Sequence, residues 1–434
     1  MENPTNSIQK SVSFYTHGCR LNFSETGSIA QGFVDRGYKV VEFGAPADVT
    51  FINTCTVTDG ADSSCRNTIR KAHKTSPDGR IVVAGCYAQM NPQEIADMQG
   101  VDLILGTSEK YKVFDYLEEV SEQAVKVDKT SEFWGAATTL ADSHTRAFLK
   151  IQDGCNYVCS FCIIPQARGR SRTITIQQAV DEATQLVDQG YKEIVLTGVN
   201  IGEYASTSGE SLEDLVKRIL DINGLERLRL GSVEPNTITE SLLRTLKDSP
   251  KAMDHFHVPM QSGSNEILTS MRRKYLKDDY IDIISRIIDY FPNAGIGADV
   301  IVGYPGETRA QFEETKQLLT ELPITHFHVF PFSKRQKTLA SRMESHVHHE
   351  EKKSRVKELL ALGELKLRDL AQTQVGLDNQ VLFERPDEDG FFHGYTSNFI
   401  KVKVKTDQDL KNQIRPVKLE SQLGEILVGS LLSH

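Results

Sequence analysis

The sequence predicts an α/β protein in three parts: an N-terminal doubly wound parallel-sheet domain, a central open six-fold βα barrel and a small C-terminal β-barrel. Three observations carry this. Strand-like and helix-like stretches alternate from about residue 10 to residue 120, the pattern of a parallel sheet with helices on both faces. The alternation resumes between about 143 and 370 with six strand–helix units, two fewer than a closed eight-fold barrel needs. Beyond about 372 it gives way to short strands separated by turns.

In the first part, strands are expected at 12–16, 48–53, 80–84 and 102–105, with helices at 25–36, 59–73 and 92–98. Residues 120–142 are less regular, hold the single tryptophan, Trp134, and read as a linker. In the second part, strands are expected at 147–151, 193–197, 228–232, 255–259, 297–302 and 326–330. Helices fill the gaps, for example at 177–188 and 279–290, and a charged helix at 350–371 closes the segment. In the last part, strands are expected at 380–384, 394–397, 400–405 and 415–418, with Asp387-Glu388-Asp389-Gly390 as a turn. The domain boundaries that follow are 10–122, a linker at 123–142, 143–371 and 372–434.

Composition limits the function classes. A chain of 434 residues suggests about three domains. With 39% hydrophobic and 25% charged residues it is an ordinary globular chain, neither disordered nor collagen-like. No apolar run approaches the ~20 residues that span a bilayer. Met1-Glu2-Asn3-Pro4 does not begin a signal peptide, so a cytoplasmic location is expected. The net charge of -9 argues against a generally basic nucleic-acid-binding coat and leaves room for a local basic groove.

The seven cysteines are better metal or catalytic candidates than disulfide partners in a reducing compartment. Gly154-Cys155-Asn156-Tyr157-Val158-Cys159-Ser160-Phe161-Cys162 sets three thiols at C-x3-C-x2-C just after an expected strand. Three thiolates on one loop hold three irons of a 4Fe-4S cluster and leave the fourth open to a ligand, whereas zinc would want a fourth protein ligand. Cys19, Cys55 and Cys86 each lie just past the C-terminal end of an expected parallel strand, the edge at which doubly wound sheets bind ligands. A second three-thiolate cluster is the natural reading, against three ordinary buried thiols. Cys65 falls inside a helix and reads as an ordinary thiol.

C-x3-C-x2-C with Phe161 before the last cysteine resembles the radical S-adenosylmethionine superfamily. The resemblance continues at Thr197-Gly198-Val199-Asn200, Gly231-Ser232-Val233-Glu234-Pro235, Pro259-Met260-Gln261-Ser262-Gly263-Ser264 and Asp299-Val300-Ile301-Val302-Gly303, each a polar or glycine-rich strand end. It implies cofactor contacts at Phe161, Gly198, Asn200, Ser232, Glu234, Gln261, Val300 and Ile301. Gly18-Cys19-Arg20-Leu21-Asn22, Asn53-Thr54-Cys55-Thr56 and Gly85-Cys86-Tyr87-Ala88-Gln89 narrow it to the methylthiotransferases, a resemblance that covers nearly the whole chain and makes the C-terminal barrel a TRAM domain. Glu25-Thr26, Phe148-Leu149-Lys150-Ile151-Gln152 and Cys162-Ile163-Ile164-Pro165, followed by Ala167-Arg168-Gly169-Arg170-Ser171-Arg172, resemble the tRNA threonylcarbamoyladenosine branch. Gln166 stands where many relatives carry an aromatic residue.

The resemblance implies two 4Fe-4S clusters and S-adenosylmethionine, with Cys155, Cys159 and Cys162 generating a radical and Cys19, Cys55 and Cys86 carrying sulfur. The reaction expected is methylthiolation of threonylcarbamoyladenosine next to the tRNA anticodon, at position 37. The alternatives are the same chemistry on isopentenyladenosine or on a ribosomal-protein aspartate, and an iron–sulfur RNA-binding regulator without turnover. Expected RNA contacts are the alternating Lys401, Lys403 and Lys405, whose other reading is a solvated edge strand, and Arg168, Arg170 and Arg172 after the cluster loop. The anticodon loop is single-stranded, so a base can be splayed into a pocket. An electron donor such as flavodoxin or ferredoxin, and a monomeric protein with no membrane partner, complete the expectations. His346, His348 and His349 read as surface residues.

Overall fold

The computed structural model describes residues 9–119, 122–128, 132–137, 145–205 and 209–432. The chain divides into two compact units. One gathers Met1–Leu140, Asp153–Tyr157 and Cys162–Arg172; the other gathers Ala141–Gln152, Val158–Phe161 and Thr173–His434.

The first unit is built on a parallel sheet of β1 (Ser11–Thr16), β2 (Lys39–Val41), β3 (Val49–Thr54), β4 (Arg80–Gly85), β5 (Leu103–Leu105) and β6 (Ala124–Lys126), in the order β2-β1-β3-β4-β5-β6. Successive strand residues face opposite sides. Phe51 and Val82 therefore join Ile29 and Phe33 of helix α1 (Arg20–Asp35) in one core. Ile52 and Val83 join Cys65 and Ile69 of helix α2 (Asp59–Thr75) in the other. The sheet is doubly wound for this reason. The Thr58 side chain accepts from the Ala61 amide and, with Asp59 and Asp62, starts α2 where the sequence places it.

Three local differences from expectation follow from placement. Helix α1, expected from residue 25, begins at Arg20 because the extended Cys19 serves as its N-cap. A short helix, α3 (Cys86–Met90), follows β4 directly. Ala124–Lys126, in the segment expected as a linker, pairs with β5 as the edge strand, while part of that segment lies outside the described residues. Trp134 stacks on Tyr111, with ring centroids 5.4 Å apart.

The second unit carries six parallel strands: β7 (Arg146–Lys150), β8 (Glu193–Thr197), β9 (Arg227–Leu230), β10 (His255–His257), β11 (Gly295–Val302) and β12 (His326–Pro331). They pair as β9-β8-β7 and β10-β11-β12. Isolated bridges, Leu228 to Ala252 and Ser232 to His257, connect the halves into an open barrel. Five antiparallel and parallel strands then close a small β-barrel: β13 (Asp378–Pro386), β14 (Phe391–Tyr395), β15 (Lys401–Lys405), β16 (Ile414–Leu423) and β17 (Ile426–Leu431). The last of these was not expected from the sequence. Val402 and Val404 fill the small barrel's core while Lys401, Lys403 and Lys405 alternate outward. His346, His348 and His349 are exposed. Among the described residues no helix is long and apolar enough to cross a membrane.

An arginine cluster joins the two barrels of this unit. The Glu193 carboxylate is fully buried, with Arg229 Nε at 2.8 Å and Arg146 Nε at 3.1 Å. Arg227 donates onward to the carbonyls of Gln380 and Tyr395, and Arg229 to that of Ser397. Burial raises the Glu193 pKa, but the surrounding guanidiniums outweigh it and hold the group at about 2. Burial lowers nearby His326 to about 4. In both cases the unfolded chain binds the proton first, so folding stability falls as pH drops through about 6.5 for His326 and through about 4.5 for Glu193. Glu193→Gln should cost about 3 kcal/mol at neutral pH and flatten the loss below pH 4.5, as read by urea titrations across pH. An unchanged acid slope would remove Glu193 from this role.

Candidate metal and cofactor sites

Three of the sheet's central strands end in thiols. Cys19 lies beyond β1, and Cys55 and Cys86 directly follow β3 and β4. Since β1, β3 and β4 are neighbours, one sheet edge gathers all three. Their approach is built into the backbone. Gly18 sits at φ +98, and a Cβ there would lie 2.8 Å from the Cys55 Cβ and 3.0 Å from its Sγ. Asn22 Nδ2 donates to the carbonyls of His17 and Thr54, at 2.7 and 3.1 Å, fixing the chain beside Cys19 and Cys55. Thr54 Oγ1 donates to the Ala84 carbonyl at 2.6 Å, tying the Cys55 strand to the one that delivers Cys86.

Burial pushes the Cys55 thiol up to about 12, and Cys86 and Cys19 raise it further. Burial also raises Cys86, against the lowering pull of Arg168 and Lys110. Three thiols crowded together this way fit a cationic metal group, whose charge would favour the thiolates. Cys65 lies beside them, fully buried, with its thiol donating to the Cys55 carbonyl at 3.6 Å.

Arg168, expected to hold RNA phosphate, is 4% exposed, on helix α4 (Ile164–Arg168) of the same unit. Its guanidinium reaches both Glu25 oxygens, at 2.9 and 3.1 Å, Asp153 Oδ1 at 3.0 Å and Asn22 Oδ1 at 2.8 Å. Lys110 completes the network from the other side of Glu25, at 2.5 Å. Arg172, also expected on RNA, is held by Asp153 at 3.0 Å and by the Glu132 and Arg168 carbonyls. Guanidinium hydrogens bonded to buried carboxylates are not offered to a phosphate. Arg170 alone of the three is exposed.

The C-x3-C-x2-C loop is fixed at both ends. In the first unit, the Cys155 amide donates to the Gly169 carbonyl at 3.1 Å, and the Tyr157 amide to Cys155 Sγ at 3.3 Å. In the second, the Ser160 amide donates to the Met271 carbonyl, and its hydroxyl lies 2.7 Å from the Tyr304 hydroxyl. Phe161 packs on the Met271–Tyr304 cluster. Cys162, like Cys155 and Cys159, is partly exposed. Arg273, unmarked in the sequence beyond a short basic run, donates to Cys159 Sγ at 3.2 Å. Its other amino group is bonded to Glu234, and burial raises Glu234 against that pull.

The other expected cofactor contacts line the strand ends of the second unit. Asn200 is 3% exposed, yet among the described residues neither its side-chain oxygen nor its nitrogen has a hydrogen-bond partner. A buried amide left so is a position for a polar ligand. Gly198 and Ser232 are half-buried beside it in the sequence of strand ends. Gln261 holds a left-handed φ of 64, fixed by its amide bond to the Asp299 carbonyl and by the Ile301 amide donating to its own carbonyl. Val300 is fully buried and Ile301 half-buried, so at Val300 only backbone faces this edge. These features fit a ligand as polar as S-adenosylmethionine.

On the small barrel, the Lys403 and Lys405 ammoniums lie 4.8 and 5.2 Å from the Phe391 ring centre. That leaves a cationic and aromatic strip.

Two family models match the chain: the Radical SAM superfamily over residues 149–319, and Uncharacterized protein family UPF0004 over residues 11–106. Among named proteins, the chain is 39% identical to threonylcarbamoyladenosine tRNA methylthiotransferase MtaB of Bacillus subtilis, over 94% of this chain and 93% of that one. It is 36% identical to the protein of the same name from Aquifex aeolicus, over 93% and 99%. It is 31% identical to tRNA-2-methylthio-N(6)-dimethylallyladenosine synthase of Clostridium novyi, over 99% and 98%. Among solved structures, the radical S-adenosylmethionine methyltransferase TsrM of Kitasatospora setae shares the fold, with a TM-score of 0.57 at 14% identity over 77% of each chain. Alpha/beta units, the thiol loop at a barrel strand end and full-length relatives agree, and the chain belongs to the methylthiotransferase family of radical S-adenosylmethionine enzymes.

Proposed function

We propose that the protein is a tRNA methylthiotransferase that converts N6-threonylcarbamoyladenosine beside the anticodon to its 2-methylthio derivative. The observation that carries this reading is the pair of thiol sites, one at three neighbouring strand ends and one on a C-x3-C-x2-C loop, in a chain matched nearly end to end by relatives of that name.

Cys155, Cys159 and Cys162 would hold one 4Fe-4S cluster with S-adenosylmethionine on its open iron, and Cys19, Cys55 and Cys86 a second. Together these groups supply reductive cleavage of the cofactor and the sulfur to be inserted. The aromatic C2–H of adenine resists acid–base chemistry, which is why a radical reagent suits it. The chain's own residues do the rest. Arg273 donates to Cys159 Sγ and offsets its charge, and Glu234 holds Arg273 in place. Asn200 and Gln261 offer amides to the cofactor from the ends of the second and fourth barrel strands. Lys401, Lys403, Lys405 and Arg170 meet phosphate, and their contribution weakens with salt. Reduced flavodoxin or ferredoxin supplies electrons to a monomeric enzyme, in the cytoplasm where tRNA is its substrate.

Expression in a host whose tRNA carries threonylcarbamoyladenosine without the methylthio group tests the substrate. The 2-methylthio nucleoside should accumulate in digests of total tRNA. Accumulation only on isopentenyladenosine, or on no nucleoside, would overturn the assignment.

A further inference from the structure

The long charged helix of the second unit, α5 (His349–Gln374), packs on the last barrel strand, β12. Gly363 permits the approach, since a Cβ there would lie 3.1 Å from the Phe327 ring. Further along, helix and strand part and leave a groove of about 470 Å³. Pro331, the last residue of β12, lines one side. Lys353, Val356, Lys357, Leu360 and Glu364 line the other. These positions recur at three- and four-residue spacing, so they share one helix face. Val356 is half-buried and Leu360 is 43% exposed, which makes an apolar floor open to solvent.

The charge of the groove runs against that of the chain. The chain has a net charge of -9, whereas Lys352, Lys353 and Lys357 line the groove against the single carboxylate of Glu364. Lys353 is paired with Glu350, but both are largely exposed, and such a pair opens easily. Among the described residues the Lys357 ammonium has no partner. A local cationic patch on an anionic molecule selects an acidic partner and steers it to this face.

Packed side chains connect the groove to the thiol loop. Lys352 crosses Gly303, where any Cβ would collide with the lysine stem, and its ammonium donates to the Phe332 carbonyl at 3.0 Å. Phe332 packs on Tyr304, with ring centroids 5.7 Å apart. The Tyr304 hydroxyl lies 2.7 Å from that of Ser160, the residue between Cys159 and Phe161. Phe161 packs on the same cluster. A lysine, two aromatic rings and a serine thus form a continuous chain from the groove to the neighbour of Cys159.

We infer that this groove docks a small acidic protein carrying a one-electron donor, and that the electron reaches the thiol-loop cluster from this side. The inference rests on the radical reading above, in which each cofactor molecule cleaved consumes one electron. The donor's prosthetic group is oxidised by one electron and the cluster is reduced by the same electron, and no atom or proton is exchanged. RNA fits the groove less well. Its phosphates would meet the lysines, but no Phe, Tyr or Trp lines the floor for a base to stack on. Pro331, Val356 and Leu360 offer apolar contact suited to protein side chains.

The test titrates the reconstituted enzyme with an acidic flavodoxin by calorimetry, and measures S-adenosylmethionine cleavage with electrons from reduced flavodoxin or from dithionite. The native chain should bind flavodoxin, and more weakly as salt rises. K353E/K357E should weaken that binding roughly tenfold or more and slow flavodoxin-supported cleavage. Dithionite-supported cleavage and binding of an anticodon stem-loop should stay as in the native chain. L360S, which keeps the charges, should weaken flavodoxin binding by a smaller factor, and it carries the test should the double variant not fold. Unchanged flavodoxin affinity in the variants, or no binding by the native chain, would overturn the inference. So would an equal loss of flavodoxin- and dithionite-supported cleavage, the mark of a structural defect. Loss of stem-loop binding with flavodoxin binding intact would overturn it as well, and would make the groove an RNA surface. Failure of the native chain to cleave the cofactor with dithionite would instead sink the radical reading itself.

Discussion

Replacing Arg168 by alanine should destabilise the first unit by about 3–5 kcal/mol, the scale on which a broken buried ion pair acts. The guanidinium holds both oxygens of Glu25 and one of Asp153, and these side chains are at most 2% exposed. Without it, Asp153 retains Arg172 and Glu25 retains Lys110, but Asn22 Oδ1 loses its donor. The damage should reach the metal site, because the same Asn22 fixes the carbonyls beside Cys19 and Cys55. Arg168→Lys should recover little, since one ammonium cannot replace a planar fork that meets three residues. Denaturant midpoints decide the matter. A loss below about 1 kcal/mol for Arg168→Ala would mean that the network is slack.

The second large effect separates the two thiol sites. Cys155→Ala should reduce S-adenosylmethionine cleavage to the level seen without enzyme, and product formation with it. Cys86→Ala should leave cleavage in place and stop sulfur insertion. The cysteines stand in different surroundings: Cys86 is buried at a sheet edge among thiols, whereas Cys155 is on a partly exposed loop. Parallel assays of 5′-deoxyadenosine and modified nucleoside read both activities from one reaction. Cleavage that survives Cys155→Ala would refute the loop assignment. Methylthio product from Cys86→Ala would refute the second site.

The parts of this arrangement that local pattern controls were legible in the sequence. Thiols next to strand ends could be placed because a strand, its turn and its cysteine are contiguous. The alternation of Lys401, Lys403 and Lys405 with Val402 and Val404 likewise defined a strand with one wet face. What depends on distant residues was not legible. Arg168, Arg170 and Arg172 look alike in the sequence, yet Arg168 is buried against Glu25, which lies 143 residues away. Nothing local distinguishes it from its exposed neighbour. The contacts of His257 and His328 with Asp299 are invisible for the same reason, since strand register alone aligns three residues from three strands. The edge strand Ala124–Lys126 is too short to stand out from an irregular segment, and pairing with β5 defines it.

The most direct test of the account is a single anaerobic reaction of the reconstituted enzyme with a threonylcarbamoyladenosine stem-loop, S-adenosylmethionine and a reductant, followed by nucleoside mass spectrometry. The account predicts the 2-methylthio derivative of that nucleoside together with 5′-deoxyadenosine. Formation of 5′-deoxyadenosine with the nucleoside left unmodified would contradict it.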